Sequence, residues 1–405
     1  MEGEFFGIIR RELMIELEQE REWEDTEILK KIDELVLKHT RRSRLSVGEK
    51  EELRKELFYS VRKLDILQVL LDDDEITEIM VNGYQDIFFE KKGKKMRWDK
   101  IFVSKEKLED VVQQIVGKCN RVINENAPIV DARLENGSRV NAVVYPIALN
   151  GPVLTIRRFP ERPIMMEDLI ANHSITAQAA NFLKKMVVAG YSILIGGGTA
   201  SGKTTFLNAL SNYIPSDERV ITIEDCAELQ IQGVNNLVRL ETKPANMEGN
   251  KEITIRDLIR SALRMAPDRI IVGEIRGAEA VDMLQAWNTG HDGSLGTAHA
   301  NSTRDMLSRV ETMVLMGMSI PLEAIRRQIA SGIDLIVHLG RLPDRSRRVL
   351  EITEVLGYEN GEVQVRTLFQ WNMQLGILEK VDDLFHREKM WYKGVSYDEA
   401  GIDEN

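Results

Sequence analysis

The sequence predicts an α/β chain whose larger domain carries a mainly parallel sheet covered by helices, and three observations predict it. Strand and helix patterns alternate from about 173 to 368, a glycine-rich loop joins an apolar strand to a helix inside that stretch, and a smaller segment at about 63–158 has mixed strand and helix texture. In the larger domain the expected strands are 192–195, 219–223, 237–240, 269–272, 294–297 and 335–339. A helix over 255–265 turns Ile255, Leu258, Ile259, Ala262 and Leu263 to one side, and Thr254 with Asp257 three residues on forms a variant of the capping box. Segments 347–355 and 363–369, around Glu359-Asn360-Gly361, read as a terminal hairpin.

In the smaller domain, Ile79-Met80-Val81 before Asn82-Gly83, and 86–90 before Lys91-Lys92-Gly93, read as strands joined by tight turns. Leu108, Val111, Val112, Ile115 and Val116 keep helical spacing. A hairpin follows, 131–135 and 138–145 around Asn136-Gly137. A two-residue loop there makes Glu135 face Ser138, which sets Arg133 and Arg139 on opposite faces of the ribbon. The strand 155–159 closes the unit.

Residues 1–62 are charge-dense, with helical spacing at Ile28, Ile32, Leu35 and Val36 and again at Leu53, Leu57, Val61 and Leu64. They read as two or three amphipathic helices with a solvated face, a docking surface being the alternative. Pro160 and Pro163 mark a linker or hinge. The tail begins as an amphipathic helix through Leu378, Val381, Leu384 and Phe385 and ends acidic. The expected organisation is a helical extension (1–62), a mixed α/β domain (63–159), a linker (160–172), the large α/β domain (173–370) and a tail (371–405).

Composition narrows the function. At 405 residues the chain exceeds one ordinary domain of ~150 residues. A net charge of −11 argues against a nucleic-acid-binding surface as the main business. No apolar run approaches the ~20 residues of a membrane span. The first 34 residues carry 12 acidic and 5 basic side chains, the reverse of a secretory leader. Cys119 and Cys226 are too few and too far apart for a disulfide framework or a zinc knuckle. A soluble, cytosolic, multi-domain protein is expected.

Gly197-Gly198-Thr199-Ala200-Ser201-Gly202-Lys203-Thr204 satisfies the phosphate-loop pattern, and it stands between the strand Ser192-Ile193-Leu194-Ile195 and a helix beginning Thr205-Phe206-Leu207. Glycines let successive N–H groups point at an anion with a helix N-terminus behind them. Gly197 through Thr205 are therefore the candidate nucleotide-binding residues, Lys203 for the β- and γ-phosphates and Thr204 for Mg²⁺. A carboxylate must then manage metal and water. Glu274, ending the apolar run Arg269-Ile270-Ile271-Val272-Gly273, is the candidate, although Asp is the commoner residue there. Glu224, Asp225 and Glu228 follow the strand Val220-Ile221-Thr222-Ile223; they either cap a following helix or hold Mg²⁺ waters. Thr204, Glu274, Glu224 and Asp225 form the candidate metal set. His299 falls just past the strand 294–297, at the sheet edge of the phosphate loop, and is a candidate γ-phosphate contact; His291 is a weaker one.

The four elements, in this order, resemble the secretion-ATPase superfamily of type II and type IV secretion and type IV pilus systems. Gly197–Thr204 resembles its Walker A loop, 224–228 its acidic box, 270–274 its Walker B and 290–299 its His box; Gly273-Glu274-Ile275-Arg276-Gly277 and Gly296-Thr297-Ala298-His299-Ala300-Asn301-Ser302 are especially close. Asp131-Ala132-Arg133-Leu134, Gly137-Ser138-Arg139-Val140-Asn141, Leu154-Thr155-Ile156-Arg157-Arg158-Phe159 and Arg239-Leu240-Glu241-Thr242-Lys243-Pro244 resemble the tight-adherence (Flp-type) pilus branch, sister to the VirB11-like enzymes. The resemblance spans about 63–370. It implies a RecA-like P-loop NTPase domain preceded by a small PAS-like α/β domain, ATP and Mg²⁺ as cofactors, and a hexameric motor. That motor would sit on the cytoplasmic face of the inner membrane, docked on a platform membrane protein, with no direct nucleic acid. It also implies that Arg139 and Arg157 reach the nucleotide of a neighbouring subunit, and the ribbon geometry favours Arg139 over Arg133. The alternative is a RecA-like helicase or DNA translocase, which would need a basic, aromatic channel.

Overall fold

The computed structural model describes residues 2–17, 23–41, 45–91, 93–119, 121–134, 136–158, 162–243 and 252–397. The chain divides into two compact units, Met1–Glu161 and Arg162–Asn405.

The first unit opens with three helices, α1 (Glu2–Leu17), α2 (Asp25–Thr40) and α3 (Val47–Arg62). They bury Ile9, Leu13, Ile28, Ile32, Leu35, Leu53 and Leu57 among themselves. Ser46 caps α3, accepting from the Glu49 amide while Glu49 returns a carboxylate to the Ser46 amide. A short α4 (Leu67–Leu71) leads into β1 (Ile76–Asn82), β2 (Ile87–Lys91), β3 (Lys94–Arg97), α5 (Lys105–Lys118), β4 (Ile129–Arg133), β5 (Arg139–Val143) and β6 (Val153–Arg157). The strands form one antiparallel sheet in the order β3-β2-β1-β6-β5-β4. The five apolar residues of α5 with helical spacing are all buried, in one core with Ile79, Val81, Val140, Leu154 and Ile156 of the sheet.

The hairpin register corrects the sequence expectation. Arg133 pairs with Arg139, not with Val140. Leu134 N donates to Ser138 O at 2.9 Å and Gly137 N to Leu134 O at 2.9 Å, so the loop holds three residues, with Gly137 at φ +87° closing it. Both loop lengths place this glycine in the left-handed region, but the extra residue shifts the pairing by one. Arg139 in turn pairs with Arg157. Arg133, Arg139 and Arg157 therefore lie in one row across β4, β5 and β6, on the face turned away from Val140 and Ile156.

The second unit continues with α6 (Met166–Ala171), α7 (Ala177–Val188), β7 (Ile193–Gly197), α8 (Lys203–Ser211), β8 (Arg219–Glu224), β9 (Asn236–Glu241), α9 (Ile255–Ala262), β10 (Arg269–Ile275), α10 (Ala280–Asn288), β11 (Leu295–Ala298), α11 (Thr303–Gly317) and α12 (Leu322–Gly332). It ends with β12 (Leu335–Arg341), β13 (Arg347–Glu359), β14 (Glu362–Asn372), β15 (Ile377–Lys380) and α13 (Glu388–Tyr392). Of the stretch read as a linker, 160 and 161 lie outside the described residues, while α6 buries Met166 in the main core of this unit.

The nine strands run in the order β15-β14-β13-β12-β7-β11-β10-β8-β9. From β12 to β9 they are parallel; β13, β14 and β15 extend the sheet antiparallel. Helices cover both faces, since alternate residues of β7 enter different cores: Ile193 and Ile195 pack with α7 and α8, Leu194 with α9 to α12. This is the α/β, RecA-like architecture expected, and β7 sits centrally between β11 and β12. Asn360 and Gly361, at φ +52° and +83°, make the two-residue turn joining β13 to β14.

The tail departs from expectation. No helix forms through Leu378, Val381, Leu384 and Phe385; β15 pairs with β14, and the chain then crosses the core, burying Leu378, Leu384 and Met390. Glu354, 2 % exposed, accepts from the Phe385 and His386 amides, and Tyr191 Oη donates to His386 O. Backbone pairing at the sheet edge outweighs the helical spacing of four apolar residues. Residues 398–405, where the acidic end was expected, lie outside the described residues.

Candidate functional site

The centre of the site is the passage from β7 into α8. Gly197 pairs with Leu339 of β12, and a Cβ there would meet Leu339 O and Ser201 Oγ at 2.5 Å each. Only glycine fits. Gly202, at φ +95°, caps α8, and Ala200 also takes a positive φ of +58°. Gly198, Thr199 and Ala200 form the exposed crest of the loop, Ser201 and Lys203 are buried, and Thr204 and Thr205 are half-buried on the first turn of α8. Lys203 Nζ donates to Gly197 O and Gly198 O at 3.1 Å each, and burial lowers its pKa. The loop amides, the α8 N-terminus and this ammonium make a cradle for an anion.

Glu274 and His299 arrive on neighbouring strands at the same carboxyl edge of the sheet, β10 and β11. Glu274 Oε1 stands 2.8 Å from His299 Nε2, and Glu274 Oε2 accepts from Arg276 Nη2 at 2.6 Å. His299 Nδ1 lies 3.4 Å from Lys203 Nζ. Burial pushes the Glu274 pKa up, but the Arg276 hydrogen bond and the charges of Arg276, His299 and Lys203 outweigh it and hold the carboxyl below its usual range. Burial and the Lys203 charge lower the pKa of His299 against the opposing pull of Glu274.

Glu224 closes β8 beside Gly273. It is 2 % exposed, and its Oε1 accepts the Glu228 and Leu229 amides at 2.9 and 3.0 Å, tying down the loop that follows. Burial pushes its pKa up to about 7 against those two donors. A Cβ at Gly273 would press on Glu224 Cγ at 3.0 Å, which explains glycine immediately before Glu274. Asp225 is exposed, 3.2 Å from Arg276 through Oδ2. The same loop is tied to α8, because Asn208 Oδ1 accepts from Gln230 N at 2.8 Å and Asn212 Oδ1 from Gln232 N at 2.6 Å.

Lys203, His299 and Glu274 are thus brought together, with Glu224 on the adjacent strand and Asp225 linked through Arg276. Glu228 contributes its backbone amide to Glu224. His291 sits before β11 begins, at the opposite edge of the sheet from His299. Arg139 and Arg157 belong to the first unit. Arg276 and Asn208 were not read from the sequence as site residues; the one signal for Arg276 was its place two residues after Glu274.

The fit to Mg²⁺ can be tested on the donors present. Among the described residues no three His, Cys, Asp or Glu side chains converge into a cage. Glu224 Oε2 is buried without a hydrogen-bond partner. One hydroxyl at a phosphate loop with carboxylates behind it suits a small hard cation that keeps its waters and leans on substrate phosphates.

Residues 61–374 match the family model described as type II/IV secretion system protein. An uncharacterized protein of Methanocaldococcus jannaschii is 40% identical over 272 residues, 65% of this chain but only 37% of that relative's length. The type IV secretion system protein PtlH of Bordetella pertussis is 33% identical over 316 residues, covering 71% of this chain and 93% of PtlH. The solved structure of the pilus retraction motor PilT with bound ADP shares the fold, with a TM-score of 0.51 at 19% identity over 78% of this chain and 83% of that one. The chain belongs to the type II/IV secretion system protein family.

Proposed function

We propose that this chain is a Mg²⁺-dependent ATPase acting as a hexameric motor for type IV (Flp/Tad-type) pilus assembly or type II/IV secretion. It would work at the cytoplasmic face of the membrane, held there by a platform protein. Among the described residues no helix is long and apolar enough to cross a membrane, so a docking partner supplies that location. The observation that carries the reading is the line of contacts from Lys203 through His299 to Glu274 at the mouth of the glycine loop.

The loop amides and Lys203 bind the triphosphate. Thr204 would hold Mg²⁺, with Glu224, Asp225 and Glu274 behind it, and such an ion would supply neutralisation of phosphate charge when bound. Glu274, kept ionised by Arg276, orients the attacking water and takes its proton. His299, aimed by Glu274, meets the γ-phosphate. To do so Lys203 must exchange the carbonyls of Gly197 and Gly198 for phosphate oxygens. Arginines from a neighbouring copy, Arg139 and Arg157, balance the charge that develops on the γ-phosphate; the strand register sets Arg133 on the same face.

The test is turnover as a function of protein concentration. Specific activity should rise as rings form, and traces of Arg139→Ala should remain inactive at concentrations where wild type is active. Activity independent of concentration, with Arg139→Ala equal to wild type, would contradict the ring and the cross-subunit arginine.

A further inference from the structure

Arg276 follows the last residue of β10, and its side chain returns to Glu274 two residues earlier. Its guanidinium spans two carboxylates on different elements, with Nη2 2.6 Å from Glu274 Oε2 and Nη1 3.2 Å from Asp225 Oδ2 in the loop after β8. The main chain beneath it is fixed as well, because Glu279 Oε1 accepts from the Arg276 and Gly277 amides at 2.6 and 2.9 Å. The side chain is 59% exposed, so packing does not require it.

We propose that Arg276 is a positioning residue for hydrolysis: it fixes the Glu274 carboxylate on the side opposite His299 and ties it to the β8–β9 loop, so that strand end and loop move as one piece. This rests on the ATPase reading. Glu274 is then held at Oε2 by the Arg276 hydrogen bond, while Oε1, 2.8 Å from His299 Nε2, is buried without a hydrogen-bond partner and is left as the free acceptor. The loop it is tied to is anchored on α8 through Asn208 and Asn212, so displacement of the phosphate-loop helix is passed to Glu274 by way of Asp225 and Arg276. A planar fork can bridge two carboxylates in fixed geometry, whereas an ammonium at the end of a flexible stem holds no such plane.

The experiment compares full-length wild type, Arg276→Ala and Arg276→Lys in steady-state turnover, in affinity for a fluorescent ATP analogue, and in amide exchange of 225–229 without nucleotide. For Arg276→Ala, kcat should fall roughly 10- to 100-fold, the usual effect of losing an outer partner of a site ligand. KM and analogue affinity should stay within about threefold. The 225–229 amides should exchange roughly tenfold faster as the loop loses its tie. Arg276→Lys should remain nearer to the alanine variant than to wild type. A loss confined to KM, full rescue by lysine, or unchanged exchange would each overturn the proposal. If wild type does not hydrolyse ATP, the ATPase reading fails, while the exchange comparison, which needs no turnover, still decides whether Arg276 ties loop to strand.

Discussion

Nε2 of His299 stands 2.8 Å from Oε1 of Glu274, and this contact places the imidazole between Glu274 and Lys203. Burial and the nearby Lys203 charge favour the neutral ring. The Nε2–Oε1 approach is not an aligned hydrogen bond, since Glu274 Oε1 has no hydrogen-bond partner, whereas Nδ1 lies 3.4 Å from Lys203 Nζ and faces it as an acceptor. His299→Ala should therefore lower kcat by roughly 10- to 100-fold through loss of aim at Glu274, with ATP affinity largely kept. Steady-state kinetics beside an equilibrium titration checks it; an affinity loss as large as the kcat loss would assign His299 to ground-state binding.

Glu224 makes stability depend on pH. Its carboxyl is pushed up to about 7 in the folded chain from an ordinary 4.5, mainly by burial. The folded state thus holds more protons than the unfolded chain between those values, and stability falls as pH rises through that window. At about 1.4 kcal/mol per unit, the effect is a few kcal/mol at most. Glu224→Gln should melt at a higher temperature than wild type at pH 8, with the difference shrinking toward pH 4.5. A constant difference across that range would show that Glu224 does not titrate as its burial dictates.

The hairpin register is open to cross-linking. Asp131 pairs with Asn141, whose Nδ2 donates to Asp131 Oδ1 at 3.1 Å. With Cys119 and Cys226 replaced by serine, cysteines at 131 and 141 should form a disulfide readily, and cysteines at 131 and 142 should not. The reverse result would restore the two-residue loop and separate Arg133 from Arg139.

The C-terminal crossing is part of the second unit's core. Truncation after Lys380 removes Leu384 and Met390, each 2 % exposed or less, and burial of such side chains is worth roughly 1.5–3 kcal/mol apiece. It also strips Glu354 of its two backbone donors. Melting should drop by about 10 °C or more, whereas Leu375→Ala, on an exposed turn, should change stability by less than about 0.5 kcal/mol. A truncated chain melting like wild type would remove this segment from the core.

The central sheet and the phosphate loop were legible because their signals are local: buried strands read as apolar runs, and a loop that needs positive φ at Gly202 and no Cβ at Gly197 must write glycine there. The α9 cap was legible for the same reason, with Thr254 and Asp257 bonded as their spacing predicts. The hairpin register was not, since Asn136-Gly137 suits a loop of two residues or three and pairing across the ribbon decides between them. β15 was hidden because Leu378, Val381 and Leu384 fall at helical spacing by coincidence, while the free edge of β14 selects extended chain. Arg276 was hidden because its partners, Glu274 and Asp225, sit on separate elements that only the parallel pairing of β8 and β10 brings side by side. Glu224 was legible as a carboxylate ending β8, but the two backbone amides its Oε1 accepts were not, because the path of the following loop that brings Glu228 and Leu229 back to it is not written in its residues.

The most direct measurement is equilibrium binding and turnover of ATP by wild type, Lys203→Ala and Glu274→Gln. Wild type should bind and hydrolyse ATP. Lys203→Ala should lose most of its affinity, and Glu274→Gln should keep affinity while turnover falls by roughly 100-fold or more. Wild-type protein without affinity for ATP, or Glu274→Gln turning over at the wild-type rate, would contradict the account.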